Sequence, residues 1–189
     1  MGTRITDLDD PRFDALFANF KHTAYRLEIL QVYDVSYEIE PYRAFLAGQP
    51  RPRDASKSAW TAMLKASAAA GKIMQRVHVV NEPLTDYLRY ELEWSYPPNV
   101  EAGEDVRILP ACDVPDDGPP TLGNINDHWL FDSSDLWVMQ YDYQGRFVSI
   151  QQVDIPESIV TANRWRDAAL HYAIPYADYM RRRELLAAS

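Results

Sequence analysis

Residues 75–107 read QRVHVVNEPLTDYLRYELEWSYPPNVEAGEDVR, and the fold turns on how this stretch is parsed. Its first six residues alternate as a strand does, with Val77 and Val79 on one face and Arg76 and His78 on the other. Asn81-Glu82-Pro83 supplies a turn. Over 84–95 the spacing becomes helical: Leu84, Tyr87, Leu88, Tyr90, Leu92 and Trp94 share one broad apolar face, and Asp86, Arg89 and Glu93 lie opposite. Asp105–Leu109 starts a second strand.

Glu91 breaks the helical pattern. It projects from the middle of the apolar face, between Leu84, Tyr87 and Leu88. A carboxylate held there must be paired, hydrogen-bonded or protonated, because burying an uncompensated charge costs several kcal/mol. The preceding strand offers Arg76 and His78 as partners. One reading is a structural Arg–Glu pair that fixes how the helix docks on the strand. The sharper one is a site, with His78 and Glu91 as acid–base candidates and Arg76, Tyr87, Arg89, Trp129 and Asp132 as ligand-binding candidates.

Outward from this block the chain continues to alternate. Asp10-Pro11 opens a helix through Phe13, Leu16, Phe17 and Phe20, and Tyr25–Tyr33 reads as a strand. Pro41–Ala47 is a helix stopped at Gly48, and Gln49–Arg53 a mobile loop. A longer helix, capped by Asp54 or Ser56, carries Trp60, Met63 and Leu64 and ends at Gly71. Strand 74–80, helix 84–95 and strand 105–109 complete a βα block over 1–109.

Residues 110–127 form a Pro/Asp-rich loop, either a lip over a site or a disordered excursion. Residues 128–189 hold a meander, with turns at Ser133-Ser134 and Gln144-Gly145, then helices after Pro156 and Pro175. In the meander Trp137, Met139 and Tyr141 share a face, as core packing or as an aromatic pocket wall. The expected fold is α/β with α+β character at its C-terminus: a single domain, 1–189, with βα units, a mixed sheet, an antiparallel meander and C-terminal helices.

Composition narrows the function classes. Nineteen basic against 28 acidic residues leave a net charge of −9, which disfavours nucleic acid and anionic membrane and favours a basic partner or a cationic ligand. The basic run Arg181–Arg183 reads as the last turn of a helix. The single cysteine, Cys112, excludes an internal disulfide. No apolar run nears the roughly 18 residues of a membrane helix and no signal-like segment opens the chain, so a cytoplasmic protein is expected. No GxGxxG, Walker A, HExxH or GxSxG motif occurs, and the four histidines are scattered singly, so neither a zinc site nor a cofactor is expected. Asp113, Asp116 and Asp117 lack EF-hand spacing.

Four motifs carry a resemblance. Arg76 precedes Val77-His78-Val79-Val80-Asn81-Glu82-Pro83; Tyr87-Leu88-Arg89-Tyr90-Glu91 follows; then come Ala102-Gly103-Glu104-Asp105-Val106-Arg107 and Asp127-His128-Trp129-Leu130-Phe131-Asp132. Together they resemble an uncharacterised actinobacterial (Streptomyces-type) family of cytosolic proteins, often encoded beside helix-turn-helix regulators. Here His128 stands where that family usually has Phe. The resemblance implies a regulatory or accessory role, with such a regulator or a small molecule as partner, and no named activity. The βα block, the Gly103–Leu109 strand and the hairpin around an Asp are also similar, more distantly, to a phospholipase-D-like half-domain, whose His-x-Lys motif is absent. That likeness implies a non-hydrolytic descendant. Two functions follow: a protein binding a small ligand or partner around Arg76, Arg89 and Glu91, or a small enzyme in which His78 is the acid–base group, Glu91 sets its tautomer and an arginine holds an anionic substrate.

Overall fold

The computed structural model describes residues 2–52, 55–114 and 126–187. Eight strands build one mixed sheet in the order β1-β7-β6-β5-β2-β3-β4-β8. They are β1 (Arg4–Ile5), β2 (Thr23–Glu28), β3 (Ile73–Val80), β4 (Asp105–Pro110), β5 (His128–Phe131), β6 (Asp135–Tyr141), β7 (Phe147–Val153) and β8 (Ile174–Pro175). β2, β3 and β4 run parallel, β5 joins β2 antiparallel, and the meander β5–β6–β7 extends the sheet outward. The mixed α/β architecture expected from the alternation of elements is therefore the one found. The two-residue edge strands β1 and β8 carry too little periodicity to be seen in the sequence.

Both faces of the central strands are covered. Tyr25, Leu27 and Val77 point to one side and pack with Ala162 and Ala169 of helix α6 (Pro156–Tyr172). Ala24 and Met74 point to the other side, against Phe17 of α1 (Pro11–Asn19) and Leu64 of α3 (Ala55–Ala69). Asp10 caps α1 as its sequence suggests. Of the two proposed caps of α3, Ser56 falls inside the helix and not before it, while Asp54 lies outside the described residues, as does most of the Pro/Asp-rich loop.

Strand β2 ends at Glu28, five residues before the expected Tyr33. Side chains take the backbone donors that a ladder would need: Ile29 N donates to Asp127 Oδ1 at 3.0 Å and Leu30 N to the Tyr33 hydroxyl at 3.3 Å. The chain then enters a 3₁₀ turn at Ser36–Glu38 and helix α2 (Ile39–Leu46), with Gly48 at φ 63 just beyond it.

The segment expected as a helix over 84–95 is longer and broken in phase. Helix α4 (Asp86–Tyr90) leads into a π-helical turn at Glu91–Ser95 and then α5 (Tyr96–Glu101). Pro97 and Pro98 explain the wide turn. Neither has an N–H to return to the carbonyls of Glu93 and Trp94, and their rings crowd those carbonyls in an α-helix. The Tyr96 N–H instead reaches back five residues to Glu91 O.

Thr85 starts the segment, accepting from Leu88 N at 3.1 Å while its hydroxyl donates to Gln31 O at 2.7 Å. Thr85→Ala is expected to cost about 1 kcal/mol, read as a fall of roughly 2–4 °C in a thermal melt. Near the C-terminus, Arg181–Arg183 fall inside α7 (Tyr176–Ala187) and not in its last turn as expected. Arg182 pairs with Asp113 at 2.7 Å, an acid beyond the reach of a local reading. Among the described residues no helix is long and apolar enough to cross a membrane.

Candidate functional site

Pairing register places Arg26 of β2 directly beside Arg76 of β3, with Glu28 beside His78 two residues on. Two guanidiniums side by side on a covered sheet face demand carboxylates, and three converge on them. Arg26 Nη2 donates to Asp127 Oδ2 at 2.9 Å, while Arg26 Nε lies 3.4 Å from Glu28 Oε1. Arg76 Nη1 donates to Glu28 Oε1 at 2.6 Å and its Nε to Glu104 Oε1 at 3.0 Å. Tyrosine hydroxyls and an amide add further bonds: Tyr33 donates to Asp127 at 2.5 Å, Asn99 to Glu104 at 2.6 Å, and Arg26 to the Tyr141 oxygen at 3.0 Å. Burial opposes the ionisation of Glu28, but Arg76 and Arg26 hold its carboxyl well below the usual range.

Above this network lies a cavity of about 670 Å³. Arg26, Arg76 and Glu28 form part of its floor; α4 and the π-turn supply Tyr87, Tyr90, Glu91 and Trp94; α1 and α3 supply Phe17, Lys57 and Trp60. Glu91 is 5 % exposed, so the acid misplaced in the sequence is indeed inside. Its partner is not the one expected. Arg76 is taken by Glu28 and Glu104, and among the described residues no salt bridge reaches Glu91 or Glu38. Burial first, and then the negative fields of Glu38 and Glu28, push Glu91 up to about 7. Glu38, which accepts from the Tyr87 hydroxyl at 2.6 Å, is raised for the same leading reason. Lys57 donates to Ser95 Oγ at 3.2 Å and is lowered by desolvation.

The Tyr96 hydroxyl is a donor-counting problem. It stands 2.5 Å from His78 Nδ1 and 3.2 Å from Glu28 Oε2, and it also bonds Glu91. A single hydroxyl proton serves three potential acceptors. A proton on Glu91 supplies a missing donor, in keeping with its raised affinity for one.

His78 is fully buried, with Nε2 bonded to Leu30 O at 2.8 Å and Nδ1 to Tyr96. The Leu30 carbonyl and the Tyr96 hydroxyl therefore set its tautomer, the task expected of Glu91, and His78 is not on the cavity wall. Trp129 is on the wall, its ring 5.7 Å from the Arg26 guanidinium. Arg89 and Asp132 are brought elsewhere. Arg89 is half-exposed on the outer helix face, paired with Asp86 at 3.3 Å. Trp137 and Met139 pack in the core with Phe131 and Ile150, and of the three Met139 and Tyr141 also line the cavity.

Asp132 sits in a left-handed turn (φ 49) and grips the chain before β2, accepting from Lys21, His22 and Thr23 N at 2.8, 2.7 and 2.9 Å. Against a burial penalty, these N–H groups hold its carboxyl below the usual range. Asp132→Ala is expected to cost about 2 kcal/mol in stability. Measured by chemical denaturation, that loss should come with unchanged ligand affinity.

Glu28, His78 and Glu91 place metal-competent atoms within 4.8 Å of one another, a cluster that no spacing in the sequence announces. The arginines already bonded to Glu28 set a cationic field against a metal there. None of Arg26, Glu28, Glu38, Lys57, Tyr96, Glu104 and Asp127 is read from sequence as a site residue, although Glu104 and Asp127 fall within the four motifs. The one available signal was the Arg26/Glu28 alternation in β2, which repeats the Arg76/His78 pattern of β3.

A family model described as a domain of unknown function, DUF6879, matches residues 11–181. No curated protein matches the sequence. Among solved structures, one similar chain is TrmBL2, an archaeal chromatin protein reported to show a novel mode of DNA binding. It aligns at 7 % identity and a TM-score of 0.49, over 92 % of this chain and 52 % of its own, so this chain spans about half its length. Another is Nuc, a phospholipase D family member from Salmonella typhimurium, at 8 % identity and a TM-score of 0.49, over 93 % of this chain and 99 % of that one. At such values no shared activity follows.

Proposed function

The chain belongs to the DUF6879 family of domains of unknown function, and from that premise we propose that it is a binding protein, holding a small organic ligand in the cavity beneath α4 and the π-turn. One observation carries this reading: a cavity of about 670 Å³, walled by aromatic side chains and floored by fixed charges, is of the size and make-up that encloses metabolite-sized molecules. The site centres on Arg76, Tyr87, Glu91 and Trp129, without Arg89 and Asp132. The alternative, an enzyme with His78 as acid or base, is disfavoured because both ring nitrogens are already hydrogen-bonded, to Leu30 O and to the Tyr96 hydroxyl, and His78 itself does not line the cavity. We place the protein in the cytoplasm of an actinobacterium as an accessory or regulatory component, with a helix-turn-helix regulator as candidate partner. This follows from the motif resemblance and from the net charge of −9, which argues against its contacting nucleic acid itself.

Native mass spectrometry of the protein purified from its host under mild conditions tests the reading. A small-molecule adduct lost on denaturation is expected, and returning it at 100-fold over Kd should add about 3 kcal/mol of stability. A bare chain, with no compound in a metabolite library raising the melting temperature, would count against it.

A further inference from the structure

We infer that the ligand is an organic amine carrying a flat apolar body, with its ammonium seated between Glu91 and Glu38. This rests on the reading of the cavity as a ligand site and names what that site selects. Two guanidiniums, Arg26 and Arg76, are already outnumbered by the three carboxylates bonded to them, Glu28, Glu104 and Asp127. That leaves Glu38 and Glu91 opposed by the ammonium of Lys57, two acids against one base. The groups whose fields reach Glu91 are Tyr37 and Glu38 from the 3₁₀ turn, Glu28 from β2, His78 and Arg76 from β3, Lys57 from α3 and Tyr87 and Tyr96 from the helical segment that carries it.

The walls complete the match. Tyr87, Tyr90 and Trp94 stand around the acids at mutual centroid distances of 6.0 and 6.3 Å, faces that suit both a planar body and a cation. Two polar atoms belonging to cavity-lining residues, Arg26 Nη1 and Asn99 Oδ1, are buried without a partner among the described residues. A ligand hydroxyl or carbonyl oxygen would accept from the first, and a ligand hydroxyl or N–H would donate to the second. On entry the ammonium displaces the Glu91 proton to solvent, leaving a carboxylate–ammonium pair, so binding releases about half a proton at pH 7 from a group titrating near there.

Titration calorimetry with tryptamine, tryptophol and indole-3-acetate tests charge at nearly constant shape. Tryptamine should bind at least about tenfold tighter than tryptophol, with indole-3-acetate weaker still. Only tryptamine should release a proton, seen as a buffer-dependent heat. Glu91→Gln and Glu38→Gln should each reduce tryptamine affinity about tenfold and leave tryptophol within about twofold. Equal binding of the three, or a preference for indole-3-acetate, overturns the amine while keeping the ligand site. Failure of all three, and of a wider panel of amines, alcohols and acids, removes both.

Discussion

Arg26→Met is expected to melt roughly 10 °C below the parent protein. The guanidinium is 3 % exposed, and it neutralises Asp127, itself 3 % exposed, across 101 residues of sequence. Methionine fills similar space but strands Asp127 and weakens the hold on Glu28. Removing one partner of a buried pair costs about 3–5 kcal/mol, because the surviving charge is left unsolvated. For a chain of this size each kcal/mol is worth about 2–4 °C. Adding Asp127→Asn should recover part of the loss, since the amide oxygen still accepts from Ile29 N and the amide NH2 can donate to the Tyr33 hydroxyl oxygen, without carrying charge. A double-mutant cycle should return coupling of about 1–3 kcal/mol. If Arg26→Met alone unfolds within about 1 kcal/mol of the parent, the network is not what holds β2 in the sheet.

Glu91→Gln should act in the opposite direction, and only above mid-acid pH. An ordinary unfolded glutamate titrates near 4.3, whereas burial and Glu38 raise the folded group to about 7. Between these values the folded state binds more protons than the unfolded one, so the parent loses stability as pH rises. Below pH 4 the group is protonated in both states and contributes nothing; above pH 7 the full penalty is present. Glutamine mimics the neutral acid and does not titrate. The variant should therefore melt near the parent at pH 5 and above it at pH 8. The gain is on the order of 3 kcal/mol, or roughly 10 °C. A difference that does not change between pH 5 and pH 8 would show that Glu91 is ionised in the folded protein throughout.

Much of the fold was legible because its elements are amphipathic in themselves. β3, α1 and the meander carry their own periodicity, and Gly48 and Gly145 stand where left-handed backbone is needed. The end of β2 was not legible, because Asp127, a hundred residues away, takes the Ile29 amide. Nor was the phase change after Tyr90, which the two prolines impose from beyond the helical pattern. The candidate site was half visible. Glu91 announced itself by landing on an apolar face, and Arg76 and His78 by sharing a strand face. Arg89 and Asp132 looked equally available, yet one faces solvent and the other ties a turn. What the sequence hid was pairing: which arginine meets which acid depends on β2 lying beside β3 and on Glu104 and Asp127 arriving from other strands' approaches.

The position of β2 at the heart of the sheet has a consequence for biosynthesis. Its antiparallel neighbour β5 and the acid that neutralises Arg26 leave the ribosome 101 residues after the strand itself. At about 5–20 residues per second, the nascent strand waits some 5–20 s with Arg26 lacking its Asp127 partner and with one apolar edge unpaired. Chaperone occupancy during translation should therefore peak over that interval and fall once β5 emerges.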